Sequence, residues 1–507
     1  MTSPTAASTP RRFPNPVYAR EILEVGFREA QGLLFPHLAA SNVAHALMLA
    51  ECGILPENEV AVLLTSLATI ADEGAASFHY EPAVEDLFFA VERRLIALAG
   101  PEIGGNLQLA RSRNDLAAGM NRLFLRDHSL MIQRTILRMR ERLLTLADEH
   151  IRTIMPGITH TQPAQPTTLA HYLLGVLGPL ERDSERLRDG WQRINRSPLG
   201  VAAFTTTTFP IDRAMIADLL GFDGIVENGY DAVGTGDHLL EAALALVTLV
   251  SGISRFVYDL LVWARRDVGI LRIADEFIQI SSIMPQKRNP VVLEHVRARL
   301  AYVYGEATSV STMIHSSAFG DTNDVEDQIF VPVVRAFAAA RSVLDLLDAV
   351  LATAVFDVEL LANRAGQGGT TATALADGLV QQFGLPFRLA HQVVSSLVTD
   401  GSGFTGARVS ERATALAGRP IVASDAWVAE RLDPWVFVNE RTGLGGPAPS
   451  AVETAIATAR DRLTGDRAAV DAFAGRIARA ADRRAGQAEA LVQRVGAGMP
   501  GRESGGS

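Results

Sequence analysis

The chain has 507 residues, 48% of them hydrophobic and 21% charged, a profile that excludes a disordered or membrane-embedded protein and fits a folded soluble one. A formal charge of −10 argues against a broad nucleic-acid or anionic-lipid surface, while leaving room for local cationic sites. The single cysteine, Cys52, cannot form an intramolecular disulfide, and "MTSPTAASTPRRFPNP" lacks a signal-peptide core, so a reducing, cytoplasmic setting and a disordered arm over residues 1–16 are expected.

Residues 20–55 place apolar side chains at three-and-four spacing, which predicts a helix that Gly53 stops. Long helical patterns follow over Ser112–Leu146, Pro166–Arg193 and Thr235–Val268, with a fourth after Pro290 and a fifth near Gln328. The run "AALALVTLVSGI" from Ala242 is shorter than the ~20 residues that span a bilayer, so it reads as a buried helix. The one β signal is "FTTTTFPID" at 204–212, where threonines precede Pro210. After Asp357 the helices shorten, "TGLGGPAPS" marks a surface turn, and a last amphipathic stretch from Ala468 leads into a Gly-rich tail expected to be disordered.

The fold class is therefore mainly α, with an N-terminal helical domain (1–111), a central helix bundle (112–357, carrying a loop at 280–290) and a C-terminal helical domain (358–507) with an extra helix. Helices apolar on more than one face cannot be satisfied by one neighbour, so the bundle is expected to continue across subunits.

Three polar stretches interrupt these patterns. Ser112, Arg113, Asn114 and Asp115 stand immediately before a helix, where they are either capping residues or donors to a ligand. Thr159, His160, Thr161 and Gln162 precede another helix start, and the histidine is either structural or a mover of protons. In "SSIMPQKRNP" (281–290), Pro285 and Pro290 exclude regular structure, while Ser281, Lys287 and Asn289 offer hydrogen bonds and a charge to a carboxylate. Metal-ligand spacings and phosphate-cradling glycine motifs are absent from the sequence, so neither metal nor cofactor is expected and side chains must do the chemistry.

"ISSIMPQKRNP", "SRND" and "THTQPAQPTT" together resemble the three signature blocks of the aspartase/fumarase superfamily. "FPIDRAMIADLLGFDGIVENGYDAV", "GLPFRLAHQVVSSLV" and "GGPAP" resemble its argininosuccinate lyase branch, so the likeness covers nearly all of the chain outside its tails. The resemblance implies a cofactor-free, reversible anti β-elimination of fumarate in a homotetramer, each site assembled from three subunits. It also implies roles: Ser281 as general base, His160 as general acid or its support with Glu294 as partner, and Ser112, Arg113, Asn114, Thr159, Gln162, Met284, Lys287 and Asn289 around the substrate.

The chain departs from the branch at the amine end. His37 replaces the acid of a "DIxGS" block, Gly236 replaces the arginine of "DAVSDRD", and "GDTNDVEDQ" stands for "YNKDLQEDK". The expected substrate is therefore an N-substituted aspartate other than argininosuccinate. Among relatives that combine an argininosuccinate-lyase-like chain with a changed amine pocket, the chain most resembles ethylenediamine-N,N′-disuccinate (EDDS) lyases, which give fumarate and N-(2-aminoethyl)aspartate. Argininosuccinate cleavage and a non-catalytic structural role are the alternatives.

Overall fold

A computed structural model describes residues 13–401 and 403–498, the Glu326 side chain excepted. The expected arm and tail fall mostly on residues 1–12 and 499–507, outside the described residues.

Five long helices make the centre: α1 Arg113–Glu149, α2 Leu169–Ile194, α3 Asp237–Trp263, α4 Val291–His315 and α5 Phe330–Ala352. Each packs on its chain neighbour or next neighbour, and α5 closes back onto α1. Their apolar stripes meet in one core that includes Ile136, Leu173, Leu246, Val296 and Leu344, all nearly inaccessible. The helix α3 is long and apolar enough to cross a membrane by length and composition, and it is the core helix of this bundle, burying Leu246, Val250, Val257 and Leu260.

The N-terminal run is two helices rather than one, Glu24–Leu33 and Phe35–Glu51, bent by 73° where Pro36 removes a backbone donor in the first turn of the second. Gly53 then adopts φ +64, the left-handed turn that ends this run.

The β expectation is misplaced. Residues 204–212 form turns, with Thr206 at φ +63. Strands form instead over β1 Ile154–Thr159 and β2 Gln162–Thr168, an antiparallel hairpin between α1 and α2. The second long helix therefore starts at Leu169, capped by the Thr168 hydroxyl, rather than at Pro166. Pro156, Pro163 and Pro166 in the hairpin mask its alternation, and a register shift at Gly157 brings the Gln165 carbonyl to 2.8 Å from where a Cβ would stand.

The last helix, α6, runs unbroken from Pro449 to Gly496. Val452, Ile456, Ala459, Leu463 and Val470 enter the central core, and Leu491 joins the N-terminal one. Fully buried Arg140 of α1 is matched to it by Asp466 at 2.6 Å, with Glu181 and Ser184 of α2 at 3.4 and 3.2 Å. By its packing α6 belongs with the bundle, whereas the short helices from Ala372 to Leu432 enclose a small core of their own.

Candidate active site

Ser112 takes extended backbone as the N-cap of α1, and its hydroxyl accepts from the Asn114 N–H while Asp115 Oδ1 accepts from the Ser112 N–H at 3.0 Å. The bland reading of this stretch is thus realised, but the cap also aims side chains. Asp115 is fully buried and accepts further from the Gly200 and Ala202 N–H groups. Burial pushes its carboxyl up to about 6 despite those donors. Ser112 Oγ donates to Asn114 Oδ1 at 2.9 Å, and Asn114 Nδ2 donates to Asp321 Oδ2 at 2.6 Å. Arg113 reaches the other way, to Asp86 at 2.8 Å and Glu85 at 3.4 Å, over the Phe89 ring.

Thr159, His160, Thr161 and Gln162 form the hairpin tip, with Thr159 and Gln162 paired and all four exposed. His160 (φ 49) and Thr161 (φ 64) both hold left-handed backbone, the geometry of a two-residue turn that sequences usually mark with Asn-Gly. A β-branched residue there is strained, and the turn throws the His160 ring outward from the fold. Beneath the hairpin lies a cavity of about 640 Å³ lined by Thr159, Gln165, His171, Tyr172, Asp259 and Arg441.

Residues 281–287 form a flap. Its ends are pinned by a two-residue ladder, β3 Gln279–Ile280 against β4 Arg288–Asn289, and by the Arg288–Asp275 ion pair. So the prolines do not exclude regular structure across the whole stretch; they confine it to the hinge. Within the flap the Met284 N–H donates to Ser281 Oγ at 3.1 Å, the Lys287 N–H donates to the Met284 carbonyl, and Asn289 Nδ2 donates to the Gln279 carbonyl. Ser282 to Arg288 are exposed, Ile283 by 81%. Behind it a cavity of about 1150 Å³ is lined by Met284, Lys287, Asn289, Glu294, Arg266 and Arg297. Glu294 stands exposed in the first turn of α4.

Within one chain these groups do not meet. Ser112 and the hairpin flank the two ends of the 37-residue helix α1, roughly 55 Å apart at 1.5 Å per residue. No residue lines both the hairpin cavity and the flap cavity. Groups of three or more metal-ligating side chains do not occur among the described residues.

A family model described as lyase matches residues 30–305, and one described as argininosuccinate lyase C-terminal matches residues 369–411. The argininosuccinate lyase of Methanospirillum hungatei is 37% identical over 438 residues, 85% of this chain and 88% of that one. This chain belongs to the argininosuccinate lyase family. The enzyme of that name from Halobacterium salinarum is 39% identical over 87% of this chain and 90% of its own. Among solved structures, EDDS lyase in complex with formate superposes with a TM-score of 0.83 at 29% identity, covering 95% of this chain and 96% of that one. As an argininosuccinate lyase family member the protein is a carbon–nitrogen lyase of the aspartase/fumarase superfamily.

Two features escaped the motif reading. Asp321 touches Asn114; it lies in "GDTNDVEDQ", already singled out as a departure from the branch, but nothing local announced this pairing. The other is compositional: of 47 Lys plus Arg in the sequence, Lys287 is the only lysine. A chain that uses arginine for every other cation keeps at the flap the compact ammonium that a planar guanidinium does not imitate.

Proposed function

We propose that the protein cleaves an N-substituted aspartate by reversible anti β-elimination, releasing fumarate and an amine, as a cytoplasmic homotetramer whose sites draw the three blocks from three subunits. The observation that carries this reading is the flap: Ser281 and the sole lysine stand six residues apart on one pinned, exposed turn.

Removing a proton from the carbon beside a carboxylate makes a dianion, which needs fixed donors and a cation close by. Lys287 supplies the cation, while Ser112, Asn114, Thr159 and Asn289 hold the two carboxylates, with Arg113, Gln162 and Met284 around them. Ser281 is the base. A serine hydroxyl ionises reluctantly, and the Met284 N–H already aimed at its oxygen lowers that cost, as closure over Lys287 does further. The C–H electron pair becomes the double bond, and the C–N pair leaves with nitrogen, helped by His160 backed by Glu294. Shared sites account for the 55 Å between blocks in one chain, because antiparallel neighbours bring opposite helix ends together.

The best substrate is ethylenediamine-N,N′-disuccinate, giving N-(2-aminoethyl)aspartate. The likeness to EDDS lyase over 95% of the chain supports it. Argininosuccinate is the second reading, favoured by relatives of 37–39% identity. Against it stands Gly236, where even a Cβ would lie 3.0 Å from Ile314, so a long basic side chain has no room without repacking. Fumarate absorbance on mixing the protein with each compound decides between them. Release from argininosuccinate alone would reverse the choice, and release from neither would overturn both substrate assignments.

A further inference from the structure

The described Asn114–Asp321 hydrogen bond sets a carboxylate directly beside a residue assigned to a substrate carboxylate. Asp321 itself would repel the succinyl dianion, so it faces positive charge instead, Arg113 within the chain and a cation brought by the substrate. Its place is fixed by backbone: Gly320 is pressed against Gly234, where a Cβ would come within 2.8 Å of the Gly320 Cα. Burial pushes the Asp321 carboxyl up, and the Arg113 guanidinium pulls it back only in part, so a cation brought by the substrate finds a partner short of solvation. The next hydroxyl, Thr322 Oγ1, is buried with no hydrogen-bond partner among the described residues, one more polar group at this turn left uncommitted.

The nitrogen that leaves is bonded to the carbon next to a carboxylate. A group beside the carboxylate holder therefore also borders the path of the amine. We propose that Asp321 selects the leaving amine, favouring amines that carry a second, protonated nitrogen over neutral-tailed amines of the same size. This rests on the proposed function, since it uses Asn114 as part of the substrate site.

The test runs the reaction toward addition, following loss of fumarate with ethylenediamine and with its neutral-tailed isostere n-propylamine. Wild type should prefer ethylenediamine in kcat/KM by roughly tenfold or more, the worth of one hydrogen bond to a charged group. Asp321→Asn, which can still accept from Asn114, should erase that preference while leaving KM for fumarate within about twofold, and Asp321→Glu should keep it. An unchanged preference in Asp321→Asn, or none in wild type, overturns the assignment and leaves the lyase reading standing. Wild type that adds neither amine, yet cleaves argininosuccinate in a parallel assay, overturns the assignment together with the substrate reading.

Discussion

Gly234 and Gly320 meet backbone to backbone: a Cβ built on Gly234 would lie 2.8 Å from the Gly320 Cα and 2.9 Å from its nitrogen. Since no side chain can yield, Gly234→Ala must push the 316–323 turn away from the short helix Gly229–Gly234 that precedes α3. The expected cost is about 1–3 kcal/mol of stability. Activity should fall further than stability, because Asp321 and Asn114 part. Thermal unfolding alongside fumarate release measures both, and an alanine variant of wild-type stability and rate would refute the contact.

Lys287→Arg conserves charge and should still lose at least about 100-fold in kcat/KM, because a planar fork cannot replace a point ammonium against a developing dianion. Ser281→Ala should lose about 1,000-fold or more with helicity unchanged by circular dichroism. An active Lys287→Arg enzyme would assign the lysine to the flap's shape alone.

Asp466→Ala strips the closest acid from fully buried Arg140, and its other oxygen also holds Arg188. Arg140 then keeps only one acid, Glu181 at 3.4 Å, and losing the nearer partner of a buried charge costs up to about 3–5 kcal/mol, so denaturant unfolding should shift to a markedly lower midpoint. Replacing Asp148, whose pair with Arg460 is about half exposed, should change stability by under about 1 kcal/mol. Equal effects would mean that α6 is held by its apolar stripe alone.

Acid should unfold the protein through its buried histidines. Burial lowers His37 and His238 to about 4, and burial beside Arg111 lowers His45 to about 3, from an ordinary 6.5. The unfolded chain then binds more protons, so the stability these groups lend is complete above pH 6.5 and drains away as pH falls toward 4, by up to about 1.4 kcal/mol per pH unit for each histidine. Asp115, held up to about 6, acts oppositely, losing its contribution as pH rises through that value, and burial also raises the Asp86, Asp183 and Asp327 carboxyls while it lowers His128 and His150 along with the other three histidines. His45→Gln, able to keep the 2.9 Å bond to the Leu109 carbonyl, should flatten the acid limb of unfolding midpoints between pH 4 and 7.

The long helices were legible because α1, α2, α3 and α5 each carry a continuous apolar stripe that two neighbours need. The hairpin was not. Its strands carry three prolines and its turn sets His160 and Thr161 in left-handed backbone without a glycine or asparagine to announce it. The break at Leu34 was equally hidden, since the apolar spacing continues through the bend and Pro36 is its one marker. In α6, glycines 465, 475 and 486 interrupt the propensity of a helix that tertiary contacts nonetheless keep whole. The polar blocks could be read as chemistry from residue type, whereas the pairing of Asn114 with Asp321 spans 207 positions and leaves no local pattern.

With its sole lysine on the flap, the enzyme carries one side-chain primary amine, set where motion is expected. An amine-reactive fluorophore placed there would report opening and closing with no other lysine to compete, the α-amine being the one further address. The same economy is a weakness: acetylating or carbamylating reagents would find in that ammonium their one lysine target and silence the catalyst by a single adduct.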